Sequence, residues 1–186
     1  MPDLPPIGLP GIMRPIISVG ADMNSKRILV MGVGNILYTD EGVGVRCVEK
    51  LLNEYDFSEN VTLMDGGTLG MRLMDPLMES DMAIVLDAVL GGQSAGTIYR
   101  LTGDDLRKSL AFRDSMHQTD LVDTLIYCDL AGHRPDTVVI GIEPHDYQTM
   151  CADISPDLAG RLDDMAEAAL KEVAAAGGTF TRKQGS

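Results

Sequence analysis

From Arg27 onward the chain repeats one alternation: a short apolar run closed by glycine or an acid, then a longer stretch with apolar residues three and four apart. The first run, RILVMGV (27–33), has no polar residue after Arg27 and predicts a strand buried on both faces. EGVGVRCVEKLLNEY (41–55) follows, and the steps between Val43, Val45, Val48, Leu51 and Leu52 predict a helix. VTLMD (61–65) predicts a second strand ending at Gly66 and Gly67, and Leu69, Leu73 and Leu77 predict a helix over 68–80 with a bend at Pro76. MAIVLDAV (82–89) predicts a third strand, closed by Gly91 and Gly92.

The second half changes period once and then returns to it. GTIYRLTG (96–103) alternates apolar and polar positions, as an edge or antiparallel strand does. The spacing of Leu121, Leu125 and Cys128 predicts a helix over 117–132, ended by Gly132, and TVVIGIEP (137–144) predicts another buried strand. A final helix is expected from Ser155, as N-cap with Pro156 at the first helical position, to Gly177, with Leu158, Leu162, Met165 and Leu170 facing the sheet. Strands alternating with helices predict a single α/β domain: a three-layer sandwich whose mostly parallel, twisted sheet has about five strands flanked by helices.

Residues 26–177 hold this pattern, and the flanks do not. Residues 1–25 contain five prolines and are expected to stay extended or disordered, without the h-region of a signal peptide, while 178–186 is expected to fray. Met23, which leads through MNSKRILV into the first strand, is a candidate start; the intact mass of the natively expressed protein decides it.

Charge narrows the partners. Fifteen Lys and Arg against 28 Asp and Glu give a net charge of −13, which argues against nucleic acid or an anionic membrane surface and favours a cation or a protein. No apolar run approaches the roughly 18 residues of a membrane span. Cys47, Cys128 and Cys151 are odd in number and include no C-x-x-C pair, so small buried hydrophobes in a reducing, cytoplasmic setting are expected rather than a disulfide framework or a thiolate zinc site.

In open α/β sheets, ligands bind beyond the carboxyl ends of the strands. Asp40 and Glu41 follow the first strand, Asp65 ends the second, Asp87 ends the third, and His117 opens a helix starting on that same edge. A dinucleotide site is the first reading, since Gly32 and Gly34 supply G-x-G and Asp65 suits a ribose hydroxyl. It fails on the third glycine, which is Leu37, and on two acids standing where a pyrophosphate would sit. A divalent-metal site from Glu41, Asp87 and His117 suits the chemistry better, because Asp87 interrupts the apolar AIVLDAV and a carboxylate there is costly unless paired or metal-bound. His133, in a GHRP turn, is expected to face solvent, and His145 is expected at the rim of the site.

Four ordered segments, RILVMGVGNILYTDEGVGVR, DGGTLGM, LDAVLGG and SMHQTDL, resemble the hydrogenase maturation endopeptidases, nickel-dependent proteases that finish the large subunit of [NiFe] hydrogenases. The likeness runs from about Arg27 to about Val173. It implies that Glu41, Asp87 and His117 bind metal and that Asp65, with Gly66 and Gly67, lies beside them. It implies as substrate a large-subunit precursor already loaded with nickel, which loses a short C-terminal extension; zinc or cadmium would occupy the site in vitro. Either the metal polarises the scissile carbonyl or activates a water, or it only positions the peptide while Asp65 or Asp40 serves as general base. A nickel-binding maturation chaperone without cleavage activity is the alternative. A cytoplasmic monomer is expected.

Overall fold

The computed structural model describes residues 25–68, 70–103, 105 and 116–184, with 116–120 as backbone only. The expected N-terminal segment, before Ser25, lies outside the described residues.

Five strands form the central sheet: β1 (Ile28–Val33), β3 (Val61–Gly67), β4 (Met82–Ala88), β5 (Ile98–Thr102) and β6 (Asp136–Ile142). Their order is β3-β1-β4-β6-β5, parallel except for β5, the antiparallel edge that its alternating sequence predicts. The chain leaves β1 for β3 on one side and then crosses to β4 on the other. This places the topological switch point at the carboxyl end of β1, between β1 and β4.

Alternate residues of the apolar runs feed two cores. Ile28, Val30, Ile84, Leu86, Val138 and Ile140 meet α1 (Val43–Glu54) and the long C-terminal helix, while Leu29, Met31, Ala83, Val85 and Val139 meet the helices of the opposite layer. Those are α2 (Met74–Met78) and α3 (Met116–Leu130). Sheet and two helical layers make the three-layer α/β domain expected from the sequence. None of the described helices is long and apolar enough to cross a membrane.

Three elements differ from expectation. The helix predicted over 68–80 is a 3-10 turn, Gly70–Leu73, followed by the short α2, since Pro76 can stand only in a first turn. The C-terminal helix breaks at Gly160 and Arg161 into α4 (Pro156–Ala159) and α5 (Leu162–Ala175). The tail expected to fray contains β7 (Phe180–Arg182), paired antiparallel with β2 (Tyr55–Phe57). The Tyr55 and Phe180 rings meet edge-on with centroids 5.8 Å apart, and the Lys183 ammonium donates to the Leu52 carbonyl at 2.7 Å; these contacts offset the entropy of ordering the tail.

Candidate active site at the carboxyl edge of the sheet

The turn off β1 is shaped by backbone packed on backbone. Gly34 has φ +130°, and a Cβ there would lie 1.9 Å from the Glu41 carbonyl oxygen. Gly32 meets Gly44 in the same way, since a Cβ on Gly32 would lie 2.3 Å from the Gly44 carbonyl oxygen. The two glycines thus bring the start of α1 and the loop before it against the strand. The acids expected at the helix start lie before it: α1 begins at Val43, with Gly42 as N-cap and no acid in its first turn.

Asp40 and Glu41 point to different tasks. Asp40 is wholly buried. Its Oδ2 accepts the backbone N–H of His145 at 2.9 Å and of Asp146 at 2.8 Å, and the Ser155 hydroxyl at 2.9 Å; its Oδ1 accepts the Ser155 N–H at 2.8 Å. Its own N–H donates to the Asp146 carbonyl at 2.8 Å. Closed to solvent and crowded with donors, the Asp40 carboxylate ties the loop after β1 to the loop after β6. That geometry assigns it a structural task and leaves it poorly placed as a general base for the cut. Ser155, expected as a helix cap, makes no side-chain cap bond, because its hydroxyl is committed to Asp40.

Glu41, next in sequence, is half-buried and lies electrostatically close to Asp87. Asp87 is 2% exposed in the next-to-last position of β4, level with Gly141. Burial pushes its carboxyl well above the usual carboxylate range, and the neighbouring Glu41 charge pushes the same way, against a backbone hydrogen bond from Ala88. Two acids whose charges act on each other at the switch point of the sheet form a site that a cation would relieve. His117 is the second residue of α3, and its side chain lies outside the described residues. Among the described residues no three His, Cys, Asp or Glu side chains converge as metal ligands. The pair Glu41 and Asp87 therefore fits a divalent cation in donor type and electrostatics, and two carboxylates alone would leave coordination positions open.

Asp65 stands on the neighbouring strand, level with Gly32. A register slip in the β1–β3 ladder occurs just past it, so that Val33 pairs with Gly67. Such bulges re-aim side chains beside active sites. The Asp65 side chain is exposed and its Oδ1 accepts the Gly67 N–H at 2.9 Å, which leaves Oδ2 without a protein hydrogen bond among the described residues.

Glu143 is a buried acid outside the set singled out by sequence. It follows β6 and accepts the N–H groups of Gly91 at 2.8 Å, Gly92 at 3.3 Å and Gln93 at 3.2 Å, together with the Tyr99 hydroxyl. Burial and this carboxylate push the Tyr99 phenol up to about 12. Glu143 thereby fixes the loop that continues from Asp87. The signal was available, since an acid closing a buried strand is what singled out Asp65 and Asp87.

The remaining candidates sort by exposure. The His145 ring reaches Asp157 at 3.2 Å with both side chains mostly exposed, while its backbone serves Asp40. His133 does not simply face solvent: its Nε2 is 2.7 Å from the Ser80 carbonyl, at the opposite end of the sheet. Cys47 and Cys128 are buried, and burial pushes the Cys47 thiol up to about 12; Cys151, expected to be buried, is exposed.

Comparison with known proteins supplies the family. The hydrogenase maturation protease family model matches residues 45–172, a span that includes Asp65, Asp87 and His117 and begins just past Glu41. The chain is 36% identical over 159 residues to the hydrogenase expression/formation protein HupD of Rhodobacter capsulatus, covering 84% of this chain and 76% of that one. It is also 36% identical over 152 residues to the hydrogenase 2 maturation protease of Escherichia coli K12, covering 81% and 90%. The solved structure of the hydrogenase maturating endopeptidase HybD from E. coli superposes with a TM-score of 0.81 at 31% identity, over 86% of this chain and 99% of that one. A switch-point acid pair, an exposed aspartate at a strand bulge and these likenesses together show that the chain belongs to the hydrogenase maturation protease family.

Proposed function

We propose that this protein is an endopeptidase that removes a short C-terminal extension from the nickel-loaded precursor of a [NiFe] hydrogenase large subunit. The observation that carries the reading is the buried Asp87 beside Glu41 at the switch point, a pair whose electrostatic cost a divalent cation offsets. Nickel here is cargo that arrives in the substrate. Glu41, Asp87 and His117 grip it, so that only a loaded precursor is held in place, and the remaining ligands are the precursor's own.

Asp65 is the proposed general base, and Asp40 is not. A water hydrogen-bonded to the free Oδ2 of Asp65 loses a proton to that oxygen as it attacks the scissile carbonyl, and the proton is returned to the departing amine nitrogen. The C–N bond breaks and two chain ends result, with no net change at Asp65.

Purified protein added to a cell extract carrying nickel-loaded precursor tests the reading by the mass of the large subunit. A smaller large subunit is expected; an unchanged mass favours a maturation chaperone that binds nickel-loaded precursor without cutting it. Glu41→Gln, Asp87→Asn and His117→Ala are each expected to abolish processing with the fold retained, and normal processing by all three would remove the site assignment.

A further inference from the structure

The strand that carries Asp65 is also the outer strand of the sheet. On its inner side the ladder is regular as far as Asp65. The Ile28 N–H donates to the Asn60 carbonyl at 2.8 Å and Ile28 is level with Val61, which in a parallel pair turns the peptide groups of Asn60, Thr62 and Met64 toward β1. Val61, Leu63 and Asp65 therefore turn theirs outward. The Val61 N–H is taken by the Ser58 carbonyl at 2.9 Å, and the outward groups of Leu63 and Asp65 meet no protein partner among the described residues.

The two edges of the sheet are treated differently. On β5, Arg100 is tied to Glu172 of α5 through contacts of 2.7 and 3.0 Å, and a charged residue on an edge strand discourages the pairing of foreign strands. From Val61 to Gly67 the outer strand has no Lys, Arg or Pro, and its single charge is Asp65 at the end. Such an edge is open to strand addition.

We infer that β3 is the docking edge for the substrate: the C-terminal extension of the precursor adds to it as an extended strand bonded to Leu63 and Asp65. This rests on the protease reading above. A chain terminus can lie flat along a sheet edge where a folded segment cannot. Strands pair about 4.8 Å apart, so a peptide bond laid beside Asp65 comes within reach of a water held by that carboxylate. The register slip beyond Asp65 breaks the alternation of outward peptide groups there, so the regular docking edge stops beside the candidate base. Main-chain bonds of this kind give affinity with little dependence on the sequence of the extension.

Two measurements on the full chain with nickel-loaded precursor test the inference. Hydrogen exchange of the Leu63 and Asp65 amides is expected to be fast in the free protein and slowed by precursor. Amides already protected in the free protein, as when a segment of this chain covers the edge, or unchanged by a precursor that is nevertheless cleaved, overturn the proposal. Leu63→Pro deletes one outward donor and no ladder bond to β1, and is expected to raise KM about three- to tenfold with kcat little changed; an unaltered KM overturns it. If that variant fails to fold, precursor semisynthesised with single N-methylated amides in the extension decides: KM should rise at alternate positions, and a uniform response counts against strand addition. Wild-type protein that cuts nothing would instead remove the protease reading itself.

Discussion

The Asp40 carboxylate takes hydrogen bonds from both the backbone N–H and the hydroxyl of Ser155, a residue 115 positions later, at 2.8 and 2.9 Å. With the His145 and Asp146 N–H groups it forms a buried clasp between two loops at the carboxyl edge. Asp40→Asn replaces an acceptor with an NH2 group facing backbone donors. A loss of about 2–4 kcal/mol is expected in denaturant unfolding. Ser155→Ala keeps the backbone donor and should cost about 1 kcal/mol. Equal costs for the two variants would mean that the clasp does not act through Asp40.

Gly34→Ala sets a methyl group 1.9 Å from the Glu41 carbonyl at a φ of +130°. Either β1 or the start of α1 must move, and Glu41 moves with it. Processing activity is expected to fall to background together with a loss of more than about 2 kcal/mol in stability. Retention of full activity would separate Glu41 from this turn.

Asp87→Asn should split stability from function. The buried site that disfavours a carboxylate beside Glu41 accepts a neutral amide of the same shape, so the metal-free variant is expected to melt several degrees higher than wild type. Its processing activity should be lost. A lower melting temperature would mean that Asp87 is held by structural partners instead of being kept for a cation.

Glu143→Gln puts one NH2 among three backbone N–H donors and the Tyr99 hydroxyl. A loss of about 1–3 kcal/mol is expected, with faster hydrogen exchange at Gly91 and Gln93. Exchange unchanged at both amides would show that the loop is held by other contacts.

Arg27 approaches Asp81 with its backbone N–H at 2.8 Å and its guanidinium at 2.9 and 3.1 Å, which holds the Asp81 carboxyl well below the usual carboxylate range. A lowered folded-state value stabilises the fold above the unfolded pKa of about 3.9 and gives that contribution up as pH falls toward the folded value. Both side chains are substantially exposed, at 57% and 36%, so solvent screening limits the effect to about 1 kcal/mol or less. Asp81→Asn should therefore melt lower than wild type at pH 7, and the difference should shrink in acid below about pH 4. A difference that persists unchanged in strong acid would rule out the ion pair as its cause.

Sequence patterning revealed the sheet because its strands are buried on both faces: ILVMGV, AIVLDAV and TVVIGI admit little polarity, and the one acid among them marked a site. The alternation in IYRLT likewise announced an antiparallel edge. Periodicity could not tell where the last helix breaks, since Leu158 and Met165 are both buried whether or not Gly160 lies in a turn. Nor could local pattern distinguish Asp40 from Glu41. Adjacent acids in one loop acquire opposite tasks only through partners at His145, Asp146 and Ser155, more than a hundred positions away. The pairing of the C-terminal tail was hidden for the same reason, because β7 is ordered by aromatic contact with β2 across the length of the domain.

The clasp on Asp40 also sets an order of events during synthesis. The loop that carries Glu41 is made early, yet the donors that fix its neighbour come from residues 145–155, after β6 has supplied the strand between β4 and β5. A nascent chain still short of His145 has the glycine turn and the first acids but none of the donors to the Asp40 carboxylate. Fixing of the loop that carries Asp40 and Glu41 is thereby postponed until most of the polypeptide has emerged.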